Sequence, residues 1–137
     1  MKDFTTYLTF DGNCREAMTF YKKCLDAEMN IFPFSDAPTP MPPEAKDRIM
    51  HARLSKGTGV IMASDIMPGM PFTQGNNFSV SIDCETADEA EKLFNAFSEN
   101  GKVLMPLQKT FWAARFGMLT DRFGISWMFN LNEPGQS

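Results

Sequence analysis

The sequence predicts an α+β fold in which a β-α-β-β-β module occurs twice. Two observations carry this expectation. Two amphipathic helical runs each follow a segment of alternating polarity, and each opens on a residue suited to capping. Matched residues then recur in one order: Leu8 and Phe10 with Val80 and Ile82, Ala17, Phe20 and Tyr21 with Ala90, Leu93 and Phe94, and Ala52-Arg53-Leu54 with Ala114-Arg115-Phe116. A single β-α-β-β-β unit leaves one sheet face bare, and two units can cover each other's faces. The 137 residues are expected to form one domain, with modules over residues 4–66 and 76–132.

The elements follow in order. In TTYLTF, residues 5–10, Thr5, Tyr7 and Thr9 take one face and Leu8 and Phe10 the other, as in a half-buried strand. Asn13, with Glu16 three residues on, has the spacing of a capping box, and Ala17, Phe20, Tyr21, Cys24 and Leu25 then recur at helical spacing. Met29 to Phe34 reads as a strand. The prolines from Pro33 to Pro43 are too dense for a regular element, so this stretch is a loop, placed to act as a lid or left unstructured. Ile49–Ser55 and Val60–Ser64 read as a hairpin around Gly57-Thr58, and residues 64–76 as the linker. In the second module Asn77–Asp83 alternates, Thr86 and Glu89 form a capping box, and Ala90, Leu93, Phe94 and Phe97 line one helix face. Asn100-Gly101 closes this helix, and Val103–Leu107, Ala114–Thr120 and Ile125–Leu131 are the last three strands.

Composition narrows the function. Hydrophobic residues make up 43% of the chain, which is a globular composition. A net charge of −4 without a Lys/Arg cluster argues against nucleic acid as a partner. The start, MKDFTTYLTF, lacks the apolar core of a signal peptide, and no apolar run approaches the ~20 residues that cross a bilayer. Three cysteines without a C-x-x-C pair argue against a disulfide framework or a zinc ribbon and for a reducing cytoplasm.

The segments FDGNCREAMTFYKKCL, HARLSKGTGVIMASD, GNNFSVSI and GKVLMPLQKTFWAARFGMLTDRFGISWMFN resemble the PhnB-like branch of the vicinal oxygen chelate superfamily, the group of glyoxalases, bleomycin-resistance proteins and extradiol dioxygenases. The resemblance implies paired modules whose curved mixed sheets enclose a cavity, in a homodimer. Some members of the branch carry a 3-demethylubiquinone 3-methyltransferase label. That activity is not expected here, because the chain has no Gly-rich strand-to-helix loop and no room for a methyltransferase domain. Metal-dependent members hold a divalent ion with residues from the first and last strands of each module. The matching positions are Thr5 or Thr6, Met62, Asn77 and Met128. A hydroxyl, an amide and two thioethers make a poor site for such an ion, so neither a metal nor another cofactor is expected.

His51 is the sole histidine, too few for a two-His-carboxylate site. It is either an ordinary hydrogen-bonded imidazole or a catalytic base. A two-residue turn at Gly57-Thr58 would pair Arg53 with Met62 and His51 with Ser64, which places His51 and Arg53 on one wall with Met62. Arg115 takes the matching place in the second module by the repeat. Each arginine either meets Asp65, Asp121 or solvent, or binds an anion. Trp112, Phe111 and Phe116 either roof a pocket or belong to the core, and Met62, Met118 and Met128 either line it or fill the core.

Three readings compete. One is metal-free binding of a small anionic or polar-headed molecule through Arg53, Met62, Asn77, Trp112, Arg115, Phe116 and Met128. Another is a lyase, isomerase or transferase that uses His51 as general base and an arginine as electrostatic stabiliser. The third is a mainly structural or interaction dimer with a vestigial pocket.

Overall fold

The structure, a computed structural model, describes residues 1–135. The chain divides into two compact units, Met1–Thr73 and Gln74–Ser137. The first unit runs β1 (Thr6–Phe10), α1 (Cys14–Leu25), β2 (Glu28–Pro33), β3 (Ile49–Lys56) and β4 (Gly59–Asp65), in sheet order β1-β4-β3-β2. The second runs β5 (Val80–Asp83), α2 (Ala87–Ser98), β6 (Lys102–Gln108), β7 (Arg115–Thr120) and β8 (Ser126–Leu131), in sheet order β5-β8-β7-β6. In each unit the first strand lies parallel to the last and the other neighbours are antiparallel. The repeated β-α-β-β-β pattern is therefore present in both sequence and topology.

In the first unit Leu8, Phe10, Ala52, Leu54, Ile61 and Ala63 are buried on one sheet face. They meet α1 through Cys14, Ala17, Met18 and Tyr21. The second unit packs Phe94 and Phe97 of α2 on Trp127 and Phe129, with ring centroids 4.6 Å apart for Phe97–Trp127 and 5.5 Å for Phe94–Phe129. A Cβ on Gly117 would lie 2.7 Å from the Phe94 ring, so close helix–sheet packing requires glycine there.

Several local expectations change. Asn13 precedes α1, but its side chain makes no capping hydrogen bond. Asp65 takes that role from the end of β4: Oδ1 accepts from the N–H groups of Gly12 (2.8 Å) and Cys14 (3.0 Å), and Oδ2 from Ile49 N–H (2.8 Å). The Thr86 cap does form, with Glu89 N–H donating to Oγ1 at 3.1 Å, while Glu89 Oε1 accepts from Glu85 N–H at 2.8 Å. At the end of α2 Asn100 adopts the left-handed conformation (φ +57°). Gly101 is needed for space instead, because a Cβ there would lie 2.5 Å from the Thr120 carbonyl. β5 begins at Val80 and leaves Asn77 to Ser79 outside the strand, and Phe34 belongs to a short 3-10 turn, Phe34–Asp36. A second such turn, Pro43–Ala45, interrupts the proline-rich stretch. The hairpin turn is as expected: Lys56 pairs with Gly59, Arg53 with Met62, and Gly57 has φ +57°.

These caps differ in weight. Asp65→Ala strands three N–H donors and should cost at least about 3 kcal/mol, whereas Thr86→Ala should cost about 1 kcal/mol. Urea denaturation midpoints of the two variants check the order.

Candidate functional site

The sheet face of the first unit that points away from α1 collects the polar chemistry. Partners across a ladder share a face. One row is Tyr7, Met62, Arg53 and Asn30, and Phe32 pairs with His51 in the next. On this open face Tyr7 is 47% and Phe32 48% exposed. The Tyr7 hydroxyl reaches over β4 to His51, with Oη 3.1 Å from Nδ1 and ring centroids 5.8 Å apart. Arg53 is exposed and makes no ion pair among the described residues.

The aspartates considered as arginine partners are committed elsewhere. Asp65 is 4% exposed and holds the three N–H groups described above. Asp121 is 3% exposed; it accepts from the Phe123 and Ile125 N–H groups at 2.8 and 3.0 Å and from the Trp127 indole N–H at 2.8 Å. Neither forms a salt bridge with Arg53 or Arg115 among the described residues.

In the second unit the expected equivalence of Arg115 and Arg53 fails. Met128 pairs with Met118, and Phe116 pairs with Asn130 on that same open face. Arg115 pairs with Leu131 in the set that contains Gly117, which packs against Phe94 of α2. Arg115 is thus on the helix side by register, and its Nη1 donates to the Ala114 carbonyl at 2.8 Å. The position equivalent to Arg53 is Met118, three residues further on; an odd offset reverses the face. Phe116 is 7% exposed and meets Trp112 edge-on at 5.4 Å, while Trp112 is 42% and Phe111 96% exposed.

The same ladders settle which side chains stand opposite the two methionines. Tyr7 shares the face of Met62, whereas Thr6 pairs with the buried Ile61 on the α1 side. Ser81 stands opposite Met128, and Asn77 is exposed ahead of β5. Among the described residues no group of three or more His, Cys, Asp or Glu gathers in one place. Hydroxyl, amide and thioether groups make poor ligands for a hard divalent ion.

Comparison with known proteins now places the chain. Residues 2–129 match the family model described as 3-demethylubiquinone-9 3-methyltransferase. The chain belongs to this PhnB-like family. Protein PA1353 from Pseudomonas aeruginosa is 47% identical, with a TM-score of 0.88, over 96% of this chain and 98% of that one. Protein YjdN of Escherichia coli (strain K12) is 34% identical over 91% of this chain and 92% of its own length. The PhnB protein from Bacillus cereus is 30% identical, with a TM-score of 0.73, over 95% of this chain and 99% of that one. For the fold alone, a glyoxylase/bleomycin resistance protein/dioxygenase domain from Frankia sp. EAN1pec superposes with a TM-score of 0.65 at 15% identity, over 97% of this chain and 98% of that one. The chain thus has the fold of the glyoxalase and bleomycin-resistance proteins.

Neither Cys14 nor Cys84 is an activated nucleophile. Burial, with help from the Asp65 carboxylate, pushes the Cys14 thiol from 9.0 up to about 12. Burial, then Glu89 and Asp83, pushes Cys84 from 9.0 up to about 11. Thiols of this kind stay protonated and unreactive near neutrality. Above pH 9.0 the unfolded thiols ionise while the folded ones keep their protons, so stability should fall as pH rises toward the folded values. Denaturation midpoints measured from about pH 8 to pH 10 should decline, and Cys14→Ala should flatten the decline.

Proposed function

We propose that this PhnB-like protein binds a small molecule with an anionic head on the open face of its first sheet, without a metal. The observation that carries this reading is Arg53, an exposed guanidinium without an ion pair among the described residues, two residues from the Tyr7–His51 pair. Its fork of N–H donors suits carboxylate or phosphate oxygens. Met62, beside Arg53 in the same row, and Phe32, opposite His51, offer apolar surface to the rest of the ligand. The open face of the second unit, with Trp112, Phe116, Met118 and Met128, is an apolar counterpart, and Asn77 stands ahead of it. Arg115 is left out of the anion site because its register turns it to the α2 side.

Methyl transfer, which the family's description names, is not proposed. At the β1–α1 junction the amides that a Gly-rich loop would offer to a cofactor are occupied: Gly12 and Cys14 both donate to Asp65. Among the described residues no helix is long and apolar enough to cross a membrane. The free thiols Cys14, Cys24 and Cys84 accord with a cytoplasmic setting.

A homodimer is part of the same proposal. Large apolar side chains are exposed in both units, among them Phe4 (89%), Phe32 (48%), Phe78 (50%) and Phe111 (96%), and such surface favours association. Light scattering should give twice the 15.5 kDa of one chain; a single-chain mass at micromolar concentration would contradict it.

The anion site is tested with inorganic phosphate titrated into labelled protein and followed by NMR. Arg53→Ala should weaken binding by about 1.5–3 kcal/mol, the worth of a charge-assisted hydrogen bond, while Arg115→Ala should leave it unchanged. Equal losses in both variants would count against this face.

A further inference from the structure

We infer that Tyr7 is a positioning residue that donates its hydroxyl hydrogen to Nδ1 of His51, holds the imidazole as its Nε2–H tautomer, and so makes His51 a second N–H donor beside Arg53 for a carboxylate or phosphate oxygen. The inference rests on the anion-binding reading above and names the ligand's recognised group.

The hydrogen bond has a preferred direction. Oη and Nδ1 lie 3.1 Å apart, and either atom can in principle donate. A phenol loses its proton near pH 10, and a neutral imidazole N–H is a far weaker acid. The imidazole nitrogen, whose protonated form has a pKa of about 6.5, is also a much better acceptor than a phenol oxygen. The favoured bond therefore runs from Tyr7 O–H to Nδ1. With its Nδ1 lone pair engaged, the neutral ring carries its hydrogen on Nε2.

The sheet holds this arrangement in place. Tyr7 is in register with Met62, and Met62 with Arg53, so the tyrosine spans β4 to reach His51 on β3. On the opposite side Phe32 pairs with His51. Arg53 and His51 are two residues apart on one strand and point to one face, about 6.8 Å apart along the chain. A carboxylate or phosphate offers at least two oxygens, one for the guanidinium and one for Nε2–H. A neutral imidazole donor also avoids a second positive charge next to Arg53. A base would need a free ring lone pair; in this tautomer Nδ1 is taken by Tyr7 and Nε2 bears hydrogen, so His51 serves as donor and not as general base.

Since His51 is the sole histidine, ¹⁵N-histidine labelling reports on one imidazole ring. The first measurement is made without added anion at about pH 8, above the ordinary imidazole pKa. It should show Nδ1 bare and Nε2 protonated, and Tyr7→Phe should move both nitrogens toward the averaged values of free imidazole. A protonated Nδ1 in the wild-type protein, or nitrogen shifts unchanged in Tyr7→Phe, overturns the inference. The second measurement adds inorganic phosphate. The Nε2–H signal should shift to saturation, His51→Ala and Tyr7→Phe should each weaken binding about three- to tenfold, and His51→Gln, which keeps an N–H donor, should bind close to wild type. Saturable phosphate binding that leaves Nε2–H unmoved overturns the donor role. A bare Nδ1 with no phosphate response at all overturns the anion site instead, while leaving the Tyr7–His51 tautomer standing.

Discussion

A buried carboxylate in each unit satisfies backbone that the sheets alone leave unpaired. Asp65 closes β4 and accepts N–H groups from the β1–α1 turn, the first residue of α1 and the start of β3. The start of α1, the start of β3 and the end of β4 thereby share one charge. Asp121 closes β7 and does the same for the β7–β8 turn and the Trp127 indole. An acceptor-only group with several lone-pair sites suits this task, because buried N–H donors left unpaired would be costly. Asp65 spends both oxygens on backbone N–H groups, and Asp121 spends its own on backbone and indole N–H groups.

The consequence for function lies in the two faces of the first sheet. The helix side uses small and branched residues, Ala52, Leu54, Ile61 and Ala63, so that α1 can lie close. The opposite side carries Tyr7, Asn30, His51, Arg53 and Ser64, with Met62 and Phe32 among them, a mixture too polar for a core and too apolar for a plain solvent face. Polar groups able to converge on a ligand, set among apolar side chains, are what a binding surface requires. Strand geometry makes this separation strict, since a shift by one residue sends a side chain to the other face.

That strictness explains what could be read in the sequence. Alternation in β1, the 3.6-residue period of both helices and the Gly57-Thr58 turn are local signals, and they located the strands, the helices and the Arg53–Met62 pairing. The Thr86 cap was legible for the same reason; its partner lies three residues away. The cap of α1 was not, because its acceptor is 51 residues from Cys14 and only the folded sheet brings it there. Arg115 was misplaced by the Ala-Arg pair shared with Ala52-Arg53. Ladder pairing aligns Arg53 with Met118, and a two-residue identity cannot fix register between repeats. Tyr7 was read onto the correct face with Thr5 and Thr9. Its partnership with His51 needs β4 inserted between β1 and β3, which is a property of topology and not of spacing.

The chain shares its fold with glyoxylase/bleomycin resistance protein/dioxygenase domains. Tyr7, Met62, Ser81 and Met128, paired across the ladders, carry no charge, so positive potential must come from elsewhere if the open face is to hold an anion. One guanidinium can supply it, and a neutral imidazole can add direction without adding charge. This is a weaker field than a divalent cation provides, and it polarises a bound oxygen less. A site of that strength suits recognition of an anionic head better than activation of an otherwise inert bond. The buried, proton-retaining thiols of Cys14 and Cys84 supply no nucleophile to change that balance. The proposed binding on the first sheet would draw its selectivity from the spacing of Arg53 and His51 and from the apolar neighbours Met62 and Phe32.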